Sequence, residues 1–269
     1  MGFDLDLPLG KEVKSPSFYA PEILASVPRN LSREKSKINP ELFQRGLDRW
    51  TAYEFVWRDV ADKLHPGILN IDVDCRSDNI VESKSLKLYL NSVYFTQFSD
   101  AGKVEEEIRG NLSRCVSGEV RVTFARLETA EKSLQRVVPE GDCLDDLDLE
   151  ESAELATEQG GYTEEKLFSH VFRSLCPVTS QPDWATILIQ YRGAQLVRTN
   201  LLGYLRSYSE HQGFHENCVE QIFSDIYALT DIDDVAVCAK FLRRGGIDIC
   251  PFRSSTRDFV EPTGYLARQ

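Results

Sequence analysis

Residues 69–75 read Leu-Asn-Ile-Asp-Val-Asp-Cys, a run in which apolar and polar side chains alternate without a break. This period of two predicts a β-strand with one face buried. Residues 51–57 alternate in the same way and predict a second strand just before it. Apolar residues then recur at helical spacing, first over 86–93 and again over 104–115. Because residues 120–124 return to the period of two, the first half of the chain predicts strand, strand, helix, helix, strand.

The second half of the chain repeats much of this order. Its patterns predict a strand at 185–192, helices at 201–208 and 214–228, and strands at 235–241 and through Ile247 and Ile249. The halves also align residue by residue at an offset of 116, which places Ile71, Val73 and Arg76 on Ile187, Ile189 and Arg192. We infer an internal duplication of an α+β unit.

The two copies differ in the residues that carry chemistry. The first has Glu82-Ser83-Lys84 at the start of its first helix, and the second has Arg198-Thr199-Asn200 there. The second has Cys176 and Asp183 before a strand, and at that offset the first has only Val60 and Gly67. His215-Glu216 opens a helix in the second copy alone. This complementary pattern predicts one composite site that is assembled from both halves.

The loop from Cys176 to Asp183 combines a thiol with a carboxylate. Pro177 and Pro182 stiffen it and disfavour a helix. A cysteine at its ordinary pKa is only a few per cent thiolate at pH 7, so a reactive one needs an activating neighbour. Asp183 can accept the thiol proton and later return a proton, as a positioned carboxylic acid does. We therefore interpret Cys176 as a candidate nucleophile.

Binding groups are predicted around this pair. Glu216 can bind the N1–H and exocyclic amine of a guanine-type base, and His215 supplies a titratable imidazole. Ser83 and Lys84 lie at a helix start, where free backbone N–H groups attract phosphate. Arg244, just before a glycine pair, is a further candidate phosphate ligand.

Each feature also has a purely structural interpretation. A free cysteine is usually a small buried hydrophobic residue, and an isolated histidine is often structural. Glu82-Ser83-Lys84 can be a helix N-cap, and Arg243-Arg244 a solvated pair at a strand end. The sequence alone leaves these alternatives open.

Composition restricts the classes of protein. The chain has 269 residues, 42% of them hydrophobic and 28% charged, which is typical of a folded globular protein and not of a disordered one. No apolar run approaches the roughly 18 residues of a membrane span, and residues 1–10 do not resemble a secretion signal or a myristoylation site. Seven widely spaced cysteines and four histidines predict a cytoplasmic protein with reduced thiols and no metal site.

Nearly all of the net charge of −12 lies in one stretch. Residues 138–165 contain eleven acidic residues and no Lys or Arg, so the rest of the chain carries −1. Gly160-Gly161 and the lack of apolar periodicity favour a solvated linker, the alternative being a docking surface for a basic partner. Because the remainder is close to neutral, no nucleic-acid binding is expected.

At these motifs the sequence resembles the NADPH-dependent 7-cyano-7-deazaguanine reductases, the nitrile reductases of queuosine biosynthesis, in their longer two-module form. The resemblance covers essentially the whole chain. It rests on residues 82–87 (Glu-Ser-Lys-Ser-Leu-Lys), on the loop 176–183 and on the pair His215-Glu216. It implies tandem tunnelling-fold (T-fold) modules, each an antiparallel sheet with two helices on one face. The modules would span 1–137 and 166–269, joined by the linker 138–165, and a homodimer is expected.

The resemblance also implies a role for each motif residue. Cys176 would add to the nitrile carbon to give a covalent thioimide, with Asp183 as the proton-transfer group. His215 would lie near the reacting centre. The deazaguanine would be bound by Val81, Glu82, Ser83, His215 and Glu216, and NADPH by Ser83, Lys84, Arg244 and Gly245. No G-x-G-x-x-G follows a strand, so a Rossmann cofactor site is absent from the sequence.

Two other functions are compatible with the same features. A hydrolase or transferase acting on a purine- or pterin-like ring would use Cys176, Asp183 and His215 but leave Lys84 and Arg244 without a purpose. A non-catalytic T-fold protein would act through its acidic linker.

Overall fold

The computed structural model describes residues 14–148 and 153–269, and all of their side chains except those of 131–133. The expectations for the N-terminal ten residues, and Glu150 and Glu151 of the acidic stretch, lie outside the described residues. The strands are β1 (Ser26–Pro28), β2 (Arg45–Asp59), β3 (Leu64–Asp74), β4 (Asn79–Val81), β5 (Gln97–Phe98), β6 (Val120–Arg126), β7 (Asp142–Cys143), β8 (Thr163–Leu175), β9 (Pro182–Gly193), β10 (Ile232–Phe241) and β11 (Ile247–Ser254). The helices are α1 (Arg29–Lys35), α2 (Ser83–Ser92), α3 (Ala101–Val116), α4 (Leu127–Ser133), α5 (Arg198–Ser207) and α6 (His215–Tyr227).

The secondary structure is α+β with mainly antiparallel pairing, as predicted. The strands predicted from alternation correspond to β2, β3, β6, β9, β10 and β11, and the helices predicted from apolar spacing correspond to α2, α3, α5 and α6. In the part of the chain that the structure describes, no helix has the length and apolar content that crossing a bilayer requires.

The chain divides into two compact units. Unit 1 contains the described residues up to Ser32, together with Asp48–Gln135 and Arg243–Asp248. Unit 2 contains Arg33–Leu47, Arg136–Leu242 and Ile249–Gln269.

Unit 1 is built on the strand order β6-β3-β2. β3 and β6 are antiparallel and pair Ile71 with Val122. Leu69 and Ile71 of β3 are fully buried, as are Leu86 of α2 and Ile108 of α3. The residues whose alternation predicted the strand and whose spacing predicted the helices therefore form the core of this unit.

Unit 2 has the strand order β11-β10-β9-β8-β7. β8, β9 and β10 are mutually antiparallel, and β7 is parallel to β8. The consecutive elements β8, β9, α5, α6 and β10 repeat the order β2, β3, α2, α3 and β6 of unit 1, with the last strand beside the second in both.

A buried carboxylate fixes the position of α6. Glu220 is fully buried, and its carboxylate accepts hydrogen bonds from Arg33 (2.7 and 2.8 Å) and Arg253 (2.8 and 3.0 Å). Removing one member of such a buried network leaves an uncompensated charge, at a cost of about 3–5 kcal/mol. The start of α6, where His215 and Glu216 lie, is held in place by this anchor one turn along the helix.

The acidic stretch is partly built into unit 2 and is not solvated throughout. Asp142–Cys143 forms β7, Leu144 is 1% exposed, and β8 begins at Thr163. The Asp145 carboxylate accepts hydrogen bonds from the Ser169 hydroxyl (2.7 Å) and the His170 amide (2.9 Å). The apolar side chain of Leu144 and these backbone and hydroxyl donors hold the segment against β8 despite its charge.

Candidate active site

The β8–β9 hairpin places Cys176 and Asp183 on one face. Its last pairs are Ser174 with Asp183 and Leu175 with Pro182. The Cys176 amide then donates to the Gln181 carbonyl (2.9 Å), and the Ser180 amide donates to the Cys176 carbonyl (3.0 Å), which closes the turn. Because side chains of an antiparallel pair alternate between faces, Cys176 and Asp183 are diagonal neighbours on the same face. The proline-flanked loop of the sequence is thus the tip of a hairpin.

Both groups are withdrawn from solvent. Cys176 is 6% exposed and Asp183 is 5% exposed. A buried carboxylate needs polar partners, and one is His215, whose Nε2 lies 3.3 Å from Asp183 Oδ2. Nε2 makes no hydrogen bond of normal geometry among the described residues, so this imidazole faces the carboxylate without being bound to it.

The start of α6 is tied to the same hairpin by backbone hydrogen bonds. The Leu175 amide donates to the His211 carbonyl (2.8 Å), and the Gly213 amide donates to the Leu175 carbonyl (3.1 Å). The Gln212 side chain donates to the Ser180 hydroxyl (2.9 Å). These contacts bring the first residues of α6 beside the tip that carries Cys176.

An aromatic ring orients the imidazole. The His215 ring stacks on Phe241 of β10, with centroids 3.9 Å apart and planes inclined by 26°. Phe241 is 1% exposed and pairs with Ala185 in the β9–β10 ladder, so it is a fixed surface. A histidine that lies flat on such a surface has few other orientations open to it.

Glu216 and a second thiol complete this cluster. Glu216 is 3% exposed. Burial, with a smaller contribution from the nearby charges of Asp183 and Glu216, raises the pKa of the Cys218 thiol to about 12. Cys218 therefore remains a protonated thiol at neutral pH. Both the Asp183 and the Glu216 carboxylates lie near it.

In unit 1, Glu82 is the N-cap of α2. Its two carboxylate oxygens accept from the Lys84 amide (2.6 Å) and the Ser85 amide (2.8 Å), and the residue is 1% exposed. The structural interpretation of this motif as a cap is confirmed. It also corrects the expectation of free backbone N–H groups for phosphate at this helix start, because Glu82 already occupies the Lys84 and Ser85 amides. Val81 is buried in β4, where it pairs with Ser26.

A second group of candidates lies in the turn before β11. Arg244 and Ile247 exchange backbone hydrogen bonds (2.8 and 3.2 Å) across Gly245 and Gly246, whose φ angles are +60° and +79°. A Cβ on Gly245 would lie 2.8 Å from Lys87 Nζ, so the turn backbone lies against the Lys87 side chain of α2. Lys87 was not among the predicted site residues, although its position three residues after Lys84 on one helix predicts that they share a face.

The structure thus brings the predicted residues together in two sets. Cys176, Asp183, His215 and Glu216 cluster in unit 2. Val81–Lys84 of α2 and its N-terminal flank lie in unit 1, as does the turn with Arg244 and Gly245. Among the described residues, no group of three or more His, Cys, Asp or Glu side chains is placed to hold a metal ion. All seven cysteines are free thiols.

A separate cavity of about 390 Å³ lies elsewhere in unit 2. It is lined by Leu188, Cys238 and Phe252 among others, and by none of the four clustered candidates. Leu188 and Asp183 differ by an odd number of positions in β9, so this cavity is on the opposite face of the sheet.

Comparison with known proteins gives matches along both units. Residues 16–124 match the family model described as "Nitrile reductase, 7-cyano-7-deazaguanine-reductase N-term". Residues 182–258 match the model described as "QueF-like protein".

Curated relatives match over most of their length. The chain is 42% identical to a protein of Desulfotalea psychrophila over 93% of this chain and 92% of the relative. It is also 42% identical to proteins of Saccharophagus degradans (92% of this chain, 93% of the relative) and Teredinibacter turnerae (93% and 91%). All three are named NADPH-dependent 7-cyano-7-deazaguanine reductase.

Proposed function

Because the chain belongs to the NADPH-dependent 7-cyano-7-deazaguanine reductase family, we propose that it reduces the nitrile of 7-cyano-7-deazaguanine to a primary amine. The reaction consumes two NADPH and two protons per nitrile, a four-electron reduction. The product, 7-aminomethyl-7-deazaguanine, serves queuosine biosynthesis. The observation that carries the proposal is the buried group of Cys176, Asp183 and His215 on one face of the β8–β9 hairpin.

Cys176 is the nucleophile of this proposal. A nitrile is a poor hydride acceptor until a nucleophile has added to its carbon. Addition of the Cys176 sulfur forms the S–C bond, and the thiol proton passes through Asp183 to the nitrile nitrogen, which gives a neutral thioimide. Reduction of that C=N bond yields a tetrahedral adduct, which expels the thiol and leaves an imine. A second reduction gives the amine.

Asp183 is the proton-transfer group. It is a diagonal neighbour of Cys176, so it can take the thiol proton and return it to nitrogen within one site. His215 faces the same carboxylate at 3.3 Å and is held by Phe241, which supports a role beside the reacting atoms.

Glu216 and His215 bind the base in this proposal. A carboxylate matches the paired N1–H and exocyclic amine of a guanine-type ring, and the burial of Glu216 favours a strong, water-excluded contact. Val81, Glu82 and Ser83 are the further base-binding residues of this proposal. Glu82 Oε1 accepts hydrogen bonds from the Lys84 amide and the Ser83 hydroxyl (3.4 Å), whereas Oε2 accepts one from the Ser85 amide and has a further lone pair for the base.

Ser83, Lys84, Arg244 and Gly245 hold NADPH, which supplies hydride when bound. Their surroundings fit a phosphate-bearing cofactor, because Lys87 Nζ reaches the Gly245 turn and adds positive charge to the same part of unit 1. A side chain at residue 245 would close that approach. Lys84, Lys87 and Arg244 bind phosphate as cations, since the α2 amides are taken by Glu82.

The proposed architecture is a pair of T-fold modules, 1–137 and 166–269, around the acidic segment 138–165. The shared element order of the two units supports it. We further propose a homodimer, because T-fold sheets close their exposed edges by association. Seven free thiols support work in the reducing cytoplasm, and the near-neutral remainder of the chain supports a function without direct nucleic-acid binding.

The test is to incubate the protein with the nitrile and NADPH and to follow both by absorbance and mass spectrometry. We expect two NADPH oxidised for each nitrile consumed and an amine product. Loss of the nitrile without oxidation of NADPH would instead identify a hydrolase or transferase, and the reductase proposal would be wrong.

A further inference from the structure

A buried hydroxyl next to Asp183 has no role in the mechanism above. Ser174 is fully buried in β8. Its hydroxyl makes no hydrogen bond to a nitrogen or oxygen atom among the described residues. Buried polar groups in proteins are almost always hydrogen-bonded, because an unsatisfied one is destabilising. Ser174 therefore has to find its partner among the groups next to it.

The position of Ser174 points to Asp183 as its partner. The two residues are directly opposed in the β8–β9 ladder, so their Cβ atoms are about 4.5–5.5 Å apart on one face. Ser174 is also two residues before Cys176, which follows the end of β8, and its hydroxyl is within reach of the Cys218 thiol of α6, whose pKa it lowers. Rotation about one side-chain bond turns the hydroxyl toward either the carboxylate or this thiol.

We propose that Ser174 is a positioning residue that donates its hydroxyl to the ionised Asp183 carboxylate and holds it ready to accept the Cys176 proton. This inference rests on the proposed reductase function and adds a residue to it. When Asp183 has taken the thiol proton, the same hydroxyl accepts a hydrogen bond from the carboxylic acid. No bond is made or broken at Ser174.

A donor to the charged form of an acid lowers its pKa. The titratable groups around Asp183 include His215 of α6 at 3.3 Å, Cys218 of α6, which is close to both Asp183 and Glu216, and Cys176 just after β8. Phe241 of β10 is uncharged. All of these groups remain when Ser174 is changed. A shift in the midpoint of the Asp183 titration therefore measures the effect of the Ser174 hydroxyl.

The test compares Ser174→Ala with Ser169→Ala in the full chain. Ser169 is an equally buried serine of β8, and its hydroxyl is bound to Asp145 and not to the site. The Asp183 carboxyl is titrated by carbon-13 NMR with labelled aspartate, with Asp183→Asn to assign its signal. The rate of adduct formation with the nitrile alone is measured across the same pH range.

We expect Ser174→Ala to raise the midpoint of the Asp183 titration by about one pH unit, the effect of losing one hydrogen bond to a charged group. The pH below which adduct formation slows should rise by the same amount. Ser169→Ala should leave both unchanged. Ser174→Thr, which keeps the hydroxyl, should restore the wild-type values of both.

The outcomes separate the two proposals. If the wild type forms the adduct and Ser174→Ala titrates like the wild type, Ser174 is a packing residue and this inference is overturned alone. If the wild type forms no adduct, the proposed function is wrong and this inference falls with it. Because the NMR titration needs no turnover, a Ser174→Ala protein that is folded but slow still gives a decision. If Ser174→Ala does not fold, Ser174→Thr gives the decision, because it keeps the hydroxyl: a threonine variant whose Asp183 titration midpoint differs from the wild type by a full pH unit overturns the inference.

Discussion

The two units use the same order of elements but differ at the positions where chemistry is possible. The counterpart of Asp183 in unit 1 is Gly67, where a Cβ would lie 2.3 Å from the Phe124 ring. In unit 1 an aromatic ring therefore occupies the space that a side chain at position 67 would need, whereas in unit 2 the equivalent position carries a carboxylate. At the N-cap position that Glu82 holds in α2, α5 of unit 2 has Val197, which provides no side-chain cap. Next to it Arg198 is bound to Asp142 (2.9 Å) and Glu165 (3.0 Å).

We interpret this difference as a division of the proposed task between two units of similar element order. Each unit keeps its core, while only one of them keeps a given polar group. A carboxylate at Gly67 would have to displace the Phe124 ring that now packs there. Substitutions in either unit test this difference.

The largest effect is expected from Cys176→Ala. Without the sulfur no thioimide can form, so turnover should fall by at least about a thousandfold. Intact mass spectrometry after incubation with the nitrile should show no adduct. Cys218→Ala is the matched control, because Cys218 is a buried thiol in the same cluster. An adduct that survives in Cys176→Ala and is lost in Cys218→Ala would reassign the nucleophile.

The next effect is structural and tests unit 1. Gly67→Asp should destabilise the protein by about 2–4 kcal/mol, because the new side chain overlaps Phe124 and buries an unpaired charge. Denaturant unfolding followed by fluorescence measures this. Gly110→Asp is the control, since the nearest contact of a Cβ there is an ordinary 3.7 Å. If both variants lose the same free energy of unfolding, Phe124 does not exclude a side chain at position 67.

Glu216→Gln should weaken binding of the deazaguanine by about tenfold to a hundredfold, because the amide replaces one of two acceptors with a donor. Binding of NADPH should change far less. Calorimetry with each ligand separately gives both numbers. Equal losses for the two ligands would contradict the assignment of Glu216 to the base.

The smallest effect is expected from Lys84→Ala. Removing one phosphate-binding cation should raise the NADPH concentration needed for half-maximal rate several-fold and leave the nitrile requirement unchanged. The change should weaken at high salt, where such contacts are screened. An unchanged NADPH requirement, with only a loss of stability, would mark Lys84 as part of the α2 cap alone.

Much of the fold followed from local patterns, and the exceptions have physical causes. β3 and β9 were predictable because every second residue is apolar. β8 was not, because its first residues are Thr163, Glu164 and Glu165 and a bulge between Ser169 and Phe172 breaks the period of two. Its start was therefore placed in the acidic linker.

Because β8 was not predicted, the geometry of the site could not be predicted either. Cys176 and Asp183 were identifiable from the loop, but their diagonal placement depends on the pairing of β8 with β9. Ser174 and Phe241 carry no sequence signal, since a serine and a phenylalanine are ordinary strand residues. The sequence allowed Glu82 to be a helix cap, a motif residue or both, and its hydrogen bonds to the Lys84 and Ser85 amides establish the cap.

The most direct test is a crystal structure of the protein soaked with 7-cyano-7-deazaguanine in the absence of NADPH. We predict continuous electron density from the former nitrile carbon to Cys176 Sγ, with Asp183 within hydrogen-bonding distance of the new nitrogen and Glu216 on the base. Density that joins the ligand to another residue, or a nitrile bound with no covalent link to Cys176, would contradict this account.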